Sequence, residues 1–167
     1  MKALTLAIAL LGVIGFAQAD DAKAQIEAGN KVIHQAMMKK DFAALEKAFK
    51  ASCTKDFVYM EAGQKQNLDT MIKNMKMGIS SMRKITKADS KILTLKVTGN
   101  KAVGTTQHMM EGTMPPGQDK KEHKMGFGGV AEETYVKEGG KWKMSSMTWK
   151  SQKMTMDGKP MPAGAGG

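Results

Sequence analysis

The sequence predicts an α+β domain in which three N-terminal helices pack on one face of a curved antiparallel sheet. Apolar residues recur at helical spacing as far as Met82. Beyond that point the chain consists of long extended segments, joined by tight turns such as Gly99-Asn100 and Gly139-Gly140. The order of these elements, helices first and a strand meander afterwards, predicts the fold class.

Each helix has its own signal. Ala22–Lys39 carries one apolar stripe, although a Gly-Asn pair weakens its middle. Asp41 is the expected N-cap of the second helix, Phe42–Ser52, because its carboxylate can accept hydrogen bonds from first-turn amides. Leu68–Met82 presents leucine, isoleucine and methionine on one face and forms the third helix.

The strands follow from β-branched and aromatic residues between glycine-rich turns. Phe57–Met60 is a short strand before the third helix. Four longer segments follow, with a bend expected at Gly126–Gly129; these strands are Ile92–Thr98, Ala102–Thr113, Val130–Glu138 and Lys141–Met156.

The two ends are expected to lie outside the domain. Lys2, the apolar run Leu4–Phe16 and the site Ala17-Gln18-Ala19 predict a signal peptide over residues 1–19. The run is too short to span a bilayer core, which needs about 20 residues. We therefore expect an exported protein, periplasmic or extracellular, with a domain over 20–156 and a disordered tail over 157–167.

The composition limits the classes of partner that the protein is expected to bind. The formal net charge is +10, but Arg83 is the only arginine and aromatic residues are sparse. Arginine is the side chain that binds phosphate bidentately, so this composition argues against a specific nucleic-acid reader. Cys53, the single cysteine, cannot form an intramolecular disulfide, and its place on the second helix's apolar stripe predicts a small buried hydrophobe.

Two segments carry a family resemblance. They are the helix-to-strand segment that contains Asp41-Phe42-Ala43-Ala44-Leu45 and Asp56-Phe57-Val58-Tyr59, and the closing hairpin 135–144 with its Gly-Lys-Trp-Lys turn. With the element order, they make the chain similar to the SnoaL-like branch of the nuclear transport factor 2-like superfamily. The resemblance implies a cone with a hydrophobic pocket, a homodimer formed through the sheet, and relatives that are isomerases, cyclases or binding domains without activity.

The resemblance also implies a catalytic candidate. In the isomerase-like members a carboxylate after the first strand removes a proton, and here Glu61 stands at that place before Gly63. Such a base needs an apolar wall to raise its pKa and a donor for the oxyanion. Ile33 replaces the family's first-helix tyrosine, and Thr148 stands where many relatives carry a histidine. A solvated loop acid is the alternative interpretation of Glu61.

His108, in the middle of a predicted strand, is the second catalytic candidate if it faces the interior; a structural or exposed histidine is the alternative. Tyr59, Met75, Met110 and Trp149 are the candidate ligand-binding residues, although core packing would explain them equally well.

The seventeen methionines raise a further hypothesis. Thioethers are soft ligands for Cu(I), and candidate groups are His108-Met109-Met110, His123 with Met125, and Met154, Met156 and Met161. Their loose spacing also fits adaptable core packing, and no metal site is assigned. No zinc, phosphate-loop, dinucleotide or serine-elbow motif is present, so no cofactor is predicted.

The leading prediction is therefore an exported domain that binds a small apolar or amphipathic molecule without demonstrated catalysis. An isomerase, cyclase or dehydratase using Glu61 with His108 is the alternative, and a copper-binding protein is the third hypothesis.

Overall fold

A computed structural model describes residues 7–161, and the side chains of residues 18–161. Within that range the chain forms three helices and a seven-stranded sheet. In chain order they are α1 (Ala7–Lys39), α2 (Phe42–Ser52), β1 (Cys53–Glu61), β2 (Gln64–Asn67), α3 (Leu68–Ser81), β3 (Lys84–Thr98), β4 (Lys101–Met114), β5 (His123–Glu138), β6 (Lys141–Met156) and β7 (Lys159–Pro160).

The predicted fold class is confirmed, because the helices pack against a curved, open sheet. The strand order is β2-β1-β6-β5-β4-β3, with β7 paired to β6. One pairing differs from the prediction: β1 lies parallel to β6, which makes the sheet mixed. Between these neighbours the chain runs through α3 and four further strands, so no hairpin turn dictates an antiparallel orientation.

The helix caps explain why α2 and α3 begin where they do. Asp41 accepts a hydrogen bond from the Ala44 amide at 2.9 Å, and α2 has the predicted bounds. Asn67 caps α3 in the same way, accepting from the Thr70 amide at 2.9 Å. The chain thus enters both helices through side chains that satisfy first-turn amides.

Three strands begin several residues earlier than the sequence indicates, and the first is β1, which starts at Cys53 rather than Phe57. β3 starts at Lys84, and its polar first half stays extended because it pairs with β4 and packs under α1. β5 includes the glycines predicted as a bend. A Cβ on Gly129 would lie 2.0 Å from the Ser151 carbonyl oxygen, so only glycine allows this close approach to β6. The β5–β6 register shifts just beyond it, between Val130 and Ala131.

The core consists of two hydrophobic clusters on the concave side of the sheet. The first joins α1 and α3 to the sheet around Phe57, Tyr135 and Trp142. The second lies among the three helices and β3, around Leu45 and Ile79. Cys53 is buried as predicted, and burial, aided by the Glu133 charge, raises the pKa of its thiol to about 12.

The terminal segments are only partly described. Residues 1–6 of the predicted signal peptide and residues 162–167 of the predicted tail lie outside the described residues. The start of the predicted tail forms a turn and the short strand β7, where the Met161 amide donates to the Met154 carbonyl. Of the helices that the structure describes, none has the length and hydropathy required to span a membrane.

Candidate functional site

Cross-strand pairs place one set of side chains on the concave face of the sheet. His108 and Met110 lie two residues apart on β4, so they point to the same side. Phe127 on β5 is the register partner of Met110. Trp149 on β6 contacts both the His108 and Phe127 rings, which brings three strands together at one point.

At this point Glu133 is the most unusual residue. Its side chain has no solvent exposure, although it is a carboxylate in the middle of β5. Tyr135 Oη donates to Glu133 Oε2 at 2.6 Å, and Thr106 Oγ1 donates to the same oxygen. His108 Nε2 lies 2.8 Å from Glu133 Oε1. Each carboxylate oxygen therefore has at least one partner, as a buried charge requires.

These contacts keep the carboxylate ionised. Burial by itself raises the pKa of Glu133, but the hydrogen bonds that His108, Thr106 and Tyr135 donate to the carboxylate lower its pKa below the ordinary value. Because a carboxylate only accepts hydrogen bonds, Nε2 of His108 must carry the proton. In the neutral imidazole Nδ1 then has a free lone pair, and no hydrogen bond to it occurs within residues 18–161.

Trp149 forms an aromatic wall beside this pair. Its ring packs edge-to-face on His108, with centroids 5.6 Å apart, and on Phe127, with centroids 5.4 Å apart. Its indole Nε1 donates to Tyr59 Oη at 2.7 Å. The side chain of His108 is 20% exposed. A polar ring thus meets solvent beside an apolar wall, as in small-molecule sites.

Glu61 occupies a different environment at the end of β1. Tyr59 Oη donates to Glu61 Oε2 at 3.1 Å, and Gln152 donates to the other oxygen. His108 pairs with Glu133 instead, so the two catalytic candidates do not form the predicted pair. They are linked only indirectly, through Tyr59 and Trp149. The catalytic role of either residue stays a prediction.

The predicted ligand-binding residues fall into two groups. Tyr59 and Trp149 belong to the first hydrophobic cluster, next to the Glu133 network. Met75 and Met110 pack against the second cluster, which contains Met82 at the end of α3 and against which further methionines from α1, β4 and β5 pack. Met110 joins the two groups, because it is also the register partner of Phe127. Met75 does not approach Trp149 through any described contact.

The sequence interpretation missed Glu133, Thr106 and Tyr135. A usable signal was present in β5, where Ala131, Glu133 and Tyr135 alternate with outward-facing residues. Two of these are buried apolar or aromatic positions, so the same phase puts the carboxylate inside.

Metal sites receive no support from the acidic and imidazole groups. Within the described residues, no three His, Cys, Asp or Glu side chains converge as a metal site requires. His123 is held by two carboxylates, Asp157 at 2.7 Å from Nδ1 and Asp119 at 2.9 Å from Nε2. Both ring nitrogens are therefore occupied by hydrogen bonds. The copper hypothesis based on methionine sulfur stays a prediction.

Comparisons with known proteins agree on the fold. No family model and no curated protein sequence matches the chain. A protein from Kribbella flavida superposes with a TM-score of 0.64 at 12% identity, covering 80% of this chain and 94% of its own. A Streptomyces avermitilis protein assigned as a dehydratase of the NTF2-like family gives 0.55 at 17%, covering 87% and 99%. The structure of LinA gives 0.60 at 14%, covering 90% and 94%. The chain has the nuclear transport factor 2-like fold.

Proposed function

We propose that the concave face of this cone binds a small apolar or amphipathic molecule against the wall formed by Trp149 and Phe127. The observation that carries the proposal is the half-buried His108 ring packed edge-on against that wall. Its Nε2 is committed to Glu133, which leaves Nδ1 to accept a hydrogen bond from a ligand. An apolar wall with one oriented polar atom is the usual composition of a specific small-molecule site.

The Glu133 network supports this proposal because burying its charge costs free energy of folding. An ionised carboxylate without solvent contact is desolvated, and its hydrogen bonds only offset that penalty. A hydrophobic residue at position 133 would fill the core without this requirement. The arrangement fixes the orientation of His108, which a purely structural histidine would not need.

Binding of the fluorescent amphipath N-phenyl-1-naphthylamine tests the proposal. We expect saturable binding that Phe127→Ser weakens about 10- to 150-fold, since burying an aromatic side chain contributes roughly 1.5–3 kcal/mol. Val103→Ser is the matched control, because Val103 is 46% exposed and alternates with the inward-facing residues of β4. Equal weakening by both variants would indicate non-specific adsorption and would overturn the proposal.

A second candidate function is proton transfer at carbon, with His108 rather than Glu61 as the base. The favouring observation is that the buried carboxylate of Glu133 accepts a hydrogen bond from the proton-bearing Nε2 of His108. This hydrogen bond fixes the imidazole tautomer in which Nδ1 can act as a base. The isomerase, cyclase and dehydratase reactions predicted from the sequence all begin with such a transfer. Exchange of the α-proton of a small cyclic ketone into D2O is the direct measurement. Catalysis lost in His108→Gln and kept in Glu61→Gln would support it, and the reverse result would restore Glu61.

The exported location and the homodimer are proposals from the sequence and the family resemblance. Native mass spectrometry of the protein purified from its own host tests both together. Cleavage after Ala19 would remove residues 1–19 from the measured mass. A dimer mass, or a retained ligand or copper ion, would appear in the same spectrum, whereas a full-length monomer would contradict both proposals.

A further inference from the structure

A surface cleft of about 380 Å³ lies between α1 and the edge strand β3. Its α1 side carries polar side chains with Met38 at the rim, and its β3 side consists of Ala88, Asp89 and Ser90. Asn30 donates to Ser90 Oγ at 3.2 Å across the cleft, joining the helix to the strand. The full lining is Glu27, Asn30, Lys31, His34, Gln35, Met38, Ala88, Asp89 and Ser90.

The β3 residues of this cleft lie directly beside the β4 residues of the proposed ligand site in the same sheet. Ser90 is the register partner of His108, and Ala88 is the register partner of Met110. Directly opposite residues of an antiparallel pair have Cβ atoms about 4.5–5.5 Å apart and point to the same face. The distance from Ser90 in the cleft to His108 therefore equals the separation of two neighbouring strands.

His34 connects the two regions from the helix side. It lines the cleft on α1 and is partly buried. Burial lowers the pKa of His34, and the proximity of His108 lowers it further, while Asp89 acts in the opposite direction. His34 and Ser90 line the same cleft, and Ser90 is the register partner of His108.

We propose that the α1–β3 cleft is the second half of the ligand site and holds an uncharged, hydroxyl-bearing head group, while the apolar part of the same molecule lies against Trp149. This inference rests on the proposed binding function and specifies its ligand class. The ligand is an amphipath with a neutral polyol or sugar-like end.

The lining chemistry selects that head group. Asn30, His34 and Ser90 provide neutral donors and acceptors, which match hydroxyl groups. The carboxylates of Glu27 and Asp89 accept from hydroxyls and outnumber the one cation of the cleft, Lys31. An anionic head would meet this local negative excess, although the protein as a whole is strongly basic.

The imidazole NMR signals of the unmodified protein give the sharpest test. The chain has three histidines, and single His→Gln variants assign their signals. Octyl glucoside, below its micelle concentration, should shift His34 and His108 but not His123, which lies at the start of β5 and is hydrogen-bonded to Asp119 and Asp157. 1-Octanol has the same chain without the sugar and should shift His108 alone.

The outcomes separate this inference from the proposed function. If octyl glucoside and octanol both shift only His108, the apolar site stands and the cleft proposal fails. If neither molecule shifts His108, both proposals fail. If octanoate binds as well as octyl glucoside, or octylamine binds more tightly, the head-group class is wrong.

Variants add a quantitative readout. Ser90→Ala removes a hydroxyl from the β3 side of the cleft and should weaken octyl glucoside binding about tenfold, which is equivalent to about 1.4 kcal/mol, while leaving octanol binding unchanged, because the sugar loses a hydrogen-bond partner. Asn74→Ala is the matched control, because it removes a comparable side-chain hydrogen bond, to Gln66, elsewhere on the surface. Equal affinity of octyl glucoside for Ser90→Ala and the wild type would overturn the proposal.

Discussion

Two glutamates on neighbouring parts of the sheet have opposite environments. Glu133 lies in the middle of β5 with no solvent exposure and is bonded by Thr106, His108 and Tyr135. Glu61 lies at the end of β1, partly exposed, and is bonded by Tyr59 and Gln152. Both contact a tyrosine two residues away on the same strand, so the local geometry is alike and the burial differs.

The comparison teaches that position along the strand, rather than residue type, decides what a carboxylate can do here. At a strand end, water solvates Glu61 and its hydrogen bonds contribute little net stability. In the strand interior, Glu133 has only its three side-chain partners, so each of them matters for folding and for the orientation of His108.

Removing the Glu133 carboxylate should be the most damaging change. Glu133→Ala leaves His108, Thr106 and Tyr135 without their acceptor, and breaking a buried pair in this way costs about 3–5 kcal/mol. Glu133→Gln keeps the volume and should cost about 2 kcal/mol. Urea unfolding followed by circular dichroism measures both. Glu61→Gln is the matched control and should cost less than about 1 kcal/mol. Equal costs at positions 61 and 133 would remove the distinction between the two glutamates.

The same carboxylate should give an acid-dependent stability difference. The pKa of Glu133 is lowered in the folded protein, so its contribution to stability is present above its unfolded pKa of about 4.3 and is lost as the pH falls through the lower folded value. The unfolding free energy of the wild type should therefore approach that of Glu133→Gln as the pH decreases from about 6 to about 3. A difference that stays constant over this range would show that the carboxylate is not selectively stabilised in its ionised form.

More of the fold than of the candidate site could be predicted from the sequence. Local signals such as the Asp41 cap, the apolar stripe of α3 and the Gly139-Gly140 turn lie within a few residues of the structure they specify. The Glu133 network depends on pairings between β4 and β5 that are 25 and 27 residues apart. Only the register of the sheet brings these residues together, and register is set by the whole hydrophobic pattern. The parallel β1–β6 pair was also not predicted, because no turn joins the two strands and they are distant in the sequence.

A smaller effect is expected at the hydroxyl that joins the two regions. Tyr59 Oη accepts from Trp149 Nε1 and donates to Glu61, so Tyr59→Phe leaves the partly buried indole without an acceptor. The expected cost is about 1 kcal/mol, with a change in Trp149 fluorescence. Gln152→Ala is the matched control, because it removes the other hydrogen bond to Glu61 and leaves the bond between Trp149 and Tyr59 in place. An unchanged emission spectrum in Tyr59→Phe would mean that this hydrogen bond does not form in solution.

The smallest effect should appear at His123, which completes the comparison as an exposed histidine held by carboxylates. The hydrogen bonds that its ring N–H groups donate to Asp157 and then to Asp119 raise the pKa of His123 above the ordinary value of 6.5. A raised pKa contributes stability below the unfolded value, and this contribution is lost as the pH rises through the folded value, the opposite sense to Glu133. The urea midpoint of His123→Gln should therefore be lower than that of the wild type at about pH 6 and nearly equal at about pH 9. Salt should diminish the difference at pH 6, since the three groups are solvent-exposed and screening acts fully on them. A midpoint difference that persists at the higher pH would show that packing, rather than charge, holds this loop to the β6–β7 turn.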